Sequence, residues 1–299
     1  MRVLITGWFS FEQMGATAGD LLARDLACEW LASAGYAFEI AIAAPFTGGV
    51  DWREVDSGQY SHLLFVCGPF QFYSPLTELF ARFPDARKIG LNLSMLEGRA
   101  QEHHPFDVLF ERDSSSSSRP DVVFLARQPL IPVVGLVLVH PQTEYKQRAR
   151  HKQVKELVER LIESREMAVV RVDTRLDQNG TGLRTPAEIE SLIARMDMVL
   201  TTRLHGTVFA IKNGVPAVVI DPIAGGDKVH RHAETIGWPA RMIADQMTFA
   251  DLERAYEFCL SANARAKAKE CRERAIGLLE SLPVDFLQAI SVSEAGLPA

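Results

Sequence analysis

Several protein classes are excluded by what this chain lacks. It has four cysteines, Cys28, Cys67, Cys259 and Cys271, with no CxxC and no other metal-ligand spacing among them. That pattern argues against a cysteine-ligated zinc site and against a disulfide framework, and predicts free, mostly buried thiols in a reducing cytoplasm. His103 and His104 are adjacent in a polar stretch and make a poor metal pair, so no metal is expected. Basic excess is also missing: 32 Lys and Arg stand against 38 Asp and Glu, a net charge of −6, which speaks against a nucleic-acid partner while leaving room for a local basic pocket. The longest strongly apolar run, residues 129–139, falls well short of the roughly 20 residues that a transmembrane helix needs. Met1 and Arg2 lead straight into a strand pattern, so a secretory signal is not expected and the predicted location is cytoplasmic. No GxGxxG fingerprint occurs, hence no dinucleotide is expected, and no internal repeat is visible.

What is present is the composition of a globular protein, 47% hydrophobic and 23% charged, and 299 residues suit two domains that each bury a core. Short β-branched runs alternate with amphipathic helical segments from end to end, which predicts parallel sheets covered by helices. In the first half, strands are expected at residues 2–6, 38–43, 62–67, 88–93 and 108–110, with helices at 16–34 and 75–82. The serines of residues 114–118 read as a flexible surface loop. Pro129 and Pro132 stiffen a linker, placing the domain boundary near residues 127–132. The rhythm then restarts, with strands at 133–139, 168–172, 198–201, 217–220 and 241–243 and helices at 148–164, 186–195, 204–213, 228–236 and, for the most part, 249–279. Thr185, Pro186 and Glu188 form a helix start: cap, first-turn proline and an acid near the positive end of the dipole. The expected fold is α/β, with two Rossmann-like domains, 1–130 and 131–299, mostly parallel and facing each other across a cleft in the arrangement called GT-B. The last helix is expected to pack back on the first domain. Ligands in such sheets bind beyond the carboxyl ends of strands.

The densest chemical signal follows one such strand. Met198-Val199-Leu200-Thr201 is followed at once by Thr202-Arg203-Leu204-His205-Gly206, and a helix begins there. Free N–H groups at a helix start attract anions. Arg203 adds a planar fork suited to carboxylate or phosphate. His205 can give or take a proton near neutral pH, and Gly206, lacking a side chain, leaves room for a ligand to approach the backbone. The glycine-rich loop of residues 223–227 delivers Lys228 to another helix start. Three potential cations and two helix N-termini thus suit a small polyanion.

The stretch from about Thr185 to Pro239 resembles the polysaccharide pyruvyl transferase family. It shows Thr201-Thr202-Arg203-Leu204-His205-Gly206 after a strand, the Gly214-Val215-Pro216 turn with its apolar strand, Lys228, and Ile236-Gly237-Trp238. Gly7 in the first loop, the stretch from Gly15 to Asp20, and Arg112-Asp113 before the serines resemble further family elements. The resemblance implies an enzyme that transfers the pyruvyl unit of phosphoenolpyruvate to a sugar as a ketal, with no other cofactor. It implies Arg203 and His205 as catalytic residues, Leu204 and Gly206 beside them at the donor, and Lys228 assisting. His205 would act as acid or base, its charge depending on donor occupancy, since a helix N-terminus disfavours an imidazolium and a bound phosphate favours it. The second domain would hold the small anionic donor and the first the probable sugar acceptor. There the loop bounded by Gly7 and Gly15 would face the second domain and stack an acceptor ring on Trp8 or Phe9. The chain departs from the family where Val139 is followed by His140-Pro141 instead of an arginine, and where Ala126-Arg127 replaces an Asp-Pro. His140, Arg171 or Arg175 is then the candidate for the missing cation. Cys67, which ends a strand, has no visible activating base and is not expected to be a catalytic thiol.

Two other functions fit the same residues. One is a GT-B glycosyltransferase using a nucleotide sugar, with Lys228 and the helix ends holding a diphosphate. The other is a non-catalytic domain that binds an anionic metabolite or a partner protein. Nothing in the residues speaks to oligomeric state.

Overall fold

The computed structural model describes residues 1–71, 74–95, 104–114, 118–140 and 143–294. The chain divides into two compact units, Met1–Pro129 and Leu130–Ala299. His103, the serines at 115–117 and Pro141 lie outside the described residues.

The first unit holds a parallel sheet of β1 (Arg2–Gly7), β2 (Ala37–Ile40), β3 (His62–Pro69), β4 (Arg87–Met95) and β5 (Val108–Ser114), in the order β2-β1-β3-β4-β5. Strand alternation splits its core in two. Val3, Ile5, Leu64 and Val66 point to one face, where they meet Ala23 and Ala27 of α1 (Ala18–Ser33). Leu4, Leu63 and Phe65 point to the other and pack with Leu76, Leu79 and Phe80 of α2 (Leu76–Arg82). Thr17 starts α1 with a capping box: its side chain accepts from the Asp20 amide, and the Asp20 carboxylate accepts from Thr17.

The second unit repeats the plan. Its strands are β6 (Val133–Val137), β7 (Ala168–Arg171), β8 (Met198–Thr201), β9 (Ala217–Asp221) and β10 (Arg241–Ile243), all parallel, in the order β10-β9-β8-β6-β7. Counted within the unit this is 2-1-3-4-5, the order of the first sheet. The helices are α3 (His151–Ser164), α4 (Pro186–Ile193), α5 (Leu204–Lys212), α6 (Lys228–Thr235), α7 (Phe249–Cys259), α8 (Ala262–Leu278) and α9 (Leu282–Glu294). β8 and β9 are buried along their whole length, which is why they read as unbroken apolar runs. Trp238 is fully buried, and its indole N–H donates to Ala217 O at 2.6 Å.

Two boundaries differ from the sequence reading. The strand expected at 133–139 ends at Val137, because Leu138 and Val139 leave the sheet toward the site described below. The long helix expected over 249–279 is two, since Leu260 closes α7 and Ser261 caps α8 by accepting from the Ala264 amide. No helix of the described residues is long and apolar enough to cross a membrane.

Candidate active site

In a 2-1-3-4-5 sheet the loops leaving strands 1 and 3 part in opposite directions, opening a crevice at their carboxyl ends. In the second unit those strands are β6 and β8, and two threonines fasten their ends together. Thr201 Oγ1 donates to Val137 O at 3.0 Å, and Thr202 Oγ1 accepts from the Val139 amide at 2.7 Å. Thr201 Oγ1 also accepts from the Arg203 amide at 3.0 Å, which sets Arg203 as the N-cap of α5. No side chain caps that helix end, so its first amides are open to a ligand. The same is not true of α6. There the fully buried Asp221 carboxylate accepts from the amides of Ile223, Asp227 and His230 at 2.7–3.1 Å. Of the two helix N-termini expected to face the polyanion, one is already served by the chain's own carboxylate.

A cavity of about 210 Å³ lies here, and Arg203, Leu204, His205 and Lys228 all line it. His205 and Lys228 are exposed. Arg203 is not the free cation that was expected. Its side chain is only 13% exposed, its Nε donates to Leu138 O at 3.1 Å, and its Nη2 lies 3.2 Å from Oδ1 of Asp173, itself 9% exposed. Nη2 is nonetheless buried without an aligned acceptor among the described residues. Burial pulls the guanidinium below the usual arginine value, Asp173 pulls it back, and nearby Arg175 lowers it further. Burial also tends to raise the Asp173 carboxyl, but the Arg175 amide, His140 and Arg203 outweigh it and hold Asp173 below the usual carboxylate range. Asp221 and Asp227 line the cavity too, so its wall is mixed in charge. Sequence reasoning gave no role to Asp173, Asp221 or Asp227. The signal available for the first two was an acid directly after a buried strand, where a carboxylate needs partners to stay buried.

Gly206 serves packing. A Cβ there would sit 2.2 Å from Thr201 Oγ1 and 3.0 Å from Val137 Cγ1, so its lack of a side chain lets α5 lie against β8 and does not open the backbone to a ligand. His140 and Arg171 do not line this cavity. They border a neighbouring one of about 530 Å³, because Arg171 ends the edge strand β7, one strand beyond β6, and His140 leans toward β7 to meet Asp173 at 3.2 Å.

The first-loop candidates also move. Trp8 and Phe9 are buried, at 7% and 0% exposure, and Phe11 is buried beside them. Trp8 packs edge-on against Phe65 at 5.7 Å, and Phe11 meets Trp52 at 5.8 Å. These rings belong to the core of their own unit, where apolar area is worth more than at a wet ligand face. A Cβ on Gly7 would strike the Phe9 ring at 2.5 Å, so that glycine also serves packing, while Gly15 (φ +73°) has open space around it. Arg112 is engaged by Asp121 at 2.7 Å, Ser94 at 2.6 Å and Asp113 at 2.9 Å. Cys67 is buried, and burial followed by the charge of Asp20 pushes its thiol up to about 11, so it is protonated at neutral pH. Among the described residues no group of three or more His, Cys, Asp or Glu could hold a metal ion.

Against known families, residues 120–222 match the model of polysaccharide pyruvyl transferase. That match spans about a third of the chain. The pyruvyl transferase match takes in β6 to β9 with Arg203, His205 and Asp173, and stops just before Lys228. No curated protein matches the chain. Among solved structures, similar chains include a spinosyn rhamnosyltransferase complexed with thymidine diphosphate (13% identity, 92% of this chain and 96% of that one, TM-score 0.32). Others are UDP-GlcNAc 2-epimerase of Methanocaldococcus jannaschii with UDP-GlcNAc and UDP (11%, 94% and 99%, TM-score 0.33) and a spinosyn forosaminyltransferase (15%, 92% and 94%, TM-score 0.30).

Proposed function

We propose that this protein is a transferase that moves the pyruvyl group of phosphoenolpyruvate onto a carbohydrate or related acceptor as a ketal, with the donor bound in the second unit. The observation that carries the reading is the 210 Å³ cavity that gathers Arg203, His205, Lys228 and the uncapped start of α5. It is smaller than the roughly 300–1,000 Å³ of pockets for drug-sized ligands, and so favours a compact anion over a nucleotide sugar. Arg203 Nη2, a buried donor without an aligned partner, is a ready contact for a carboxylate or phosphate oxygen.

In this reading Arg203, Lys228 and the α5 amides hold the donor's phosphate and carboxylate. His205 gives a proton to the methylene carbon, the π pair becomes the new C–H bond, and C2 is left cation-like. Two acceptor hydroxyls add at C2 and phosphate departs. The transfer is redox-neutral overall, so the chemistry asks for anion binding, an acid and a base. The four free cysteines suit a reducing compartment, which we take to be the cytoplasm.

Phosphoenolpyruvate should raise the unfolding temperature of the protein where UDP-glucose does not, and phosphate should be released when a hexoside acceptor is added. Stabilisation by the nucleotide sugar alone would overturn the reading.

A further inference from the structure

The reaction above needs a base for the acceptor hydroxyl, and His205 is already committed as the acid. A second imidazole stands next door. His140, just past the end of β6, is 62% exposed, and its Nε2 lies 3.2 Å from Oδ2 of the buried Asp173. The other oxygen of that carboxylate accepts the Arg175 amide at 3.0 Å and lies 3.2 Å from Arg203 Nη2. The backbone of Asp173 is fixed as well: its amide donates to Thr181 Oγ1 and its carbonyl accepts from Asn179 Nδ2 at 2.8 Å. One anchored carboxylate therefore touches both the donor arginine and an exposed histidine. Nε2 faces Asp173, so the lone pair of the neutral ring falls on Nδ1, on the opposite side of the imidazole from the carboxylate.

His140 and Asp173 border the cavity of about 530 Å³, which shares Val139 and Thr202 with the donor cavity. Its volume lies within the usual range for small-molecule sites, and its wall joins apolar Leu136, Val154 and Val172 to a polar rim. A sugar ring presents the same mixture of C–H faces and hydroxyls. The charged groups around the imidazole are Asp173, Arg171 and Arg175 on the β7 side, His151, Lys152 and Lys155 on α3, and Arg203 beyond the carboxylate.

We propose that His140, oriented by Asp173, is the general base for the acceptor, and that the acceptor sugar occupies this second cavity. This rests on the pyruvyl-transfer reading. As the acceptor oxygen bonds to the cation-like C2, its O–H bond breaks, the pair stays on oxygen, and the proton passes to His140 Nδ1. The imidazolium so formed is paired with Asp173. When the second hydroxyl adds, the C2–O bond to phosphate breaks with its pair, the second proton restores His205, and His140 returns its proton to the departing phosphate. The role differs from that of the missing cation for which the sequence nominated His140, since an imidazole turned to a carboxylate at its own wall is placed to take a proton from the neighbouring cavity.

The test compares wild type, H140Q and D173N by phosphoenolpyruvate binding, by phosphate release with p-nitrophenyl β-D-galactopyranoside and β-D-mannopyranoside as acceptors, and by ring 15N NMR. H140Q should bind phosphoenolpyruvate within about twofold of wild type yet lose roughly 10²–10⁴-fold in kcat, together with the rising limb of the pH–rate profile. Neutral His140 should be the Nε2–H tautomer in wild type and lose that preference in D173N. Wild-type kcat and an intact limb in H140Q, or an Nδ1–H tautomer in wild type, would overturn the proposal alone. A wild type that neither binds phosphoenolpyruvate nor releases phosphate would remove the pyruvyl-transfer reading beneath it.

Discussion

Asp173 shows how much one side chain can carry. It is a buried acid at a strand end whose two oxygens meet Arg203, His140 and the Arg175 amide. Its carboxyl is held below the ordinary range, so the unfolded chain binds the proton more readily than the folded one. The stability it adds is complete above about pH 4, near the unperturbed carboxylate value, and is lost as pH falls through the depressed one. D173N should therefore be less stable than wild type at pH 7 in urea unfolding, and the difference should close below about pH 4. A gap independent of pH would show that the pairing contributes nothing. A neighbour offers a second check at this scale. Burial, and after it the charge of His205, holds His232 below the usual histidine value. In H205Q the imidazole of His232 should titrate higher in an NMR pH series; an unchanged or lower value would place the two rings farther apart than the structure does.

At the scale of elements, the decisive piece is the passage from β8 into α5. The two threonines tie β8 to β6, and Gly206 lets the helix lie close enough for Arg203 to reach Leu138 O and Asp173. G206A pushes a methyl group into Thr201 and should cost about 1–3 kcal/mol, with phosphoenolpyruvate binding weakened in proportion to the shift of α5; wild-type stability in this variant would contradict the close approach. T185A is the control. It breaks the capping box of α4, worth about 0.5–2 kcal/mol, and should leave donor binding untouched. These elements were largely legible in the sequence, because apolar runs bounded by turn residues mark buried parallel strands, and Thr185-Pro186 marks a helix start. The strand 198–201 was read with its observed ends. What a linear pattern could not carry was partnership across the sheet. Arg203 looked like a free cation because its counter-ion is 30 positions away, just past the end of a strand two places over in the sheet. Trp8 and Phe9 looked like a sugar platform because aromatic residues in a glycine-bounded loop have the same appearance whether they face a ligand or Phe65. Arg171 looked like a donor ligand because strand order, and hence its place on the sheet edge, is not written in the local sequence.

The whole molecule is built from two units that share one strand order and have separate cores. Every residue placed around the donor cavity belongs to Leu130–Ala299. Calorimetric unfolding should then show that phosphoenolpyruvate shifts the transition of the second unit in particular, by an amount that grows to about 2.7 kcal/mol at a hundredfold excess over Kd. A shift confined to the first unit would place the anion elsewhere.

The most direct measurement is isothermal titration of phosphoenolpyruvate into wild type and R203A at fixed ionic strength. The account predicts a single site in wild type and at least a tenfold loss of affinity in R203A, since a charge-assisted hydrogen bond is worth about 1.5–3 kcal/mol. Equal affinity in the two proteins, or no binding to either, would contradict it.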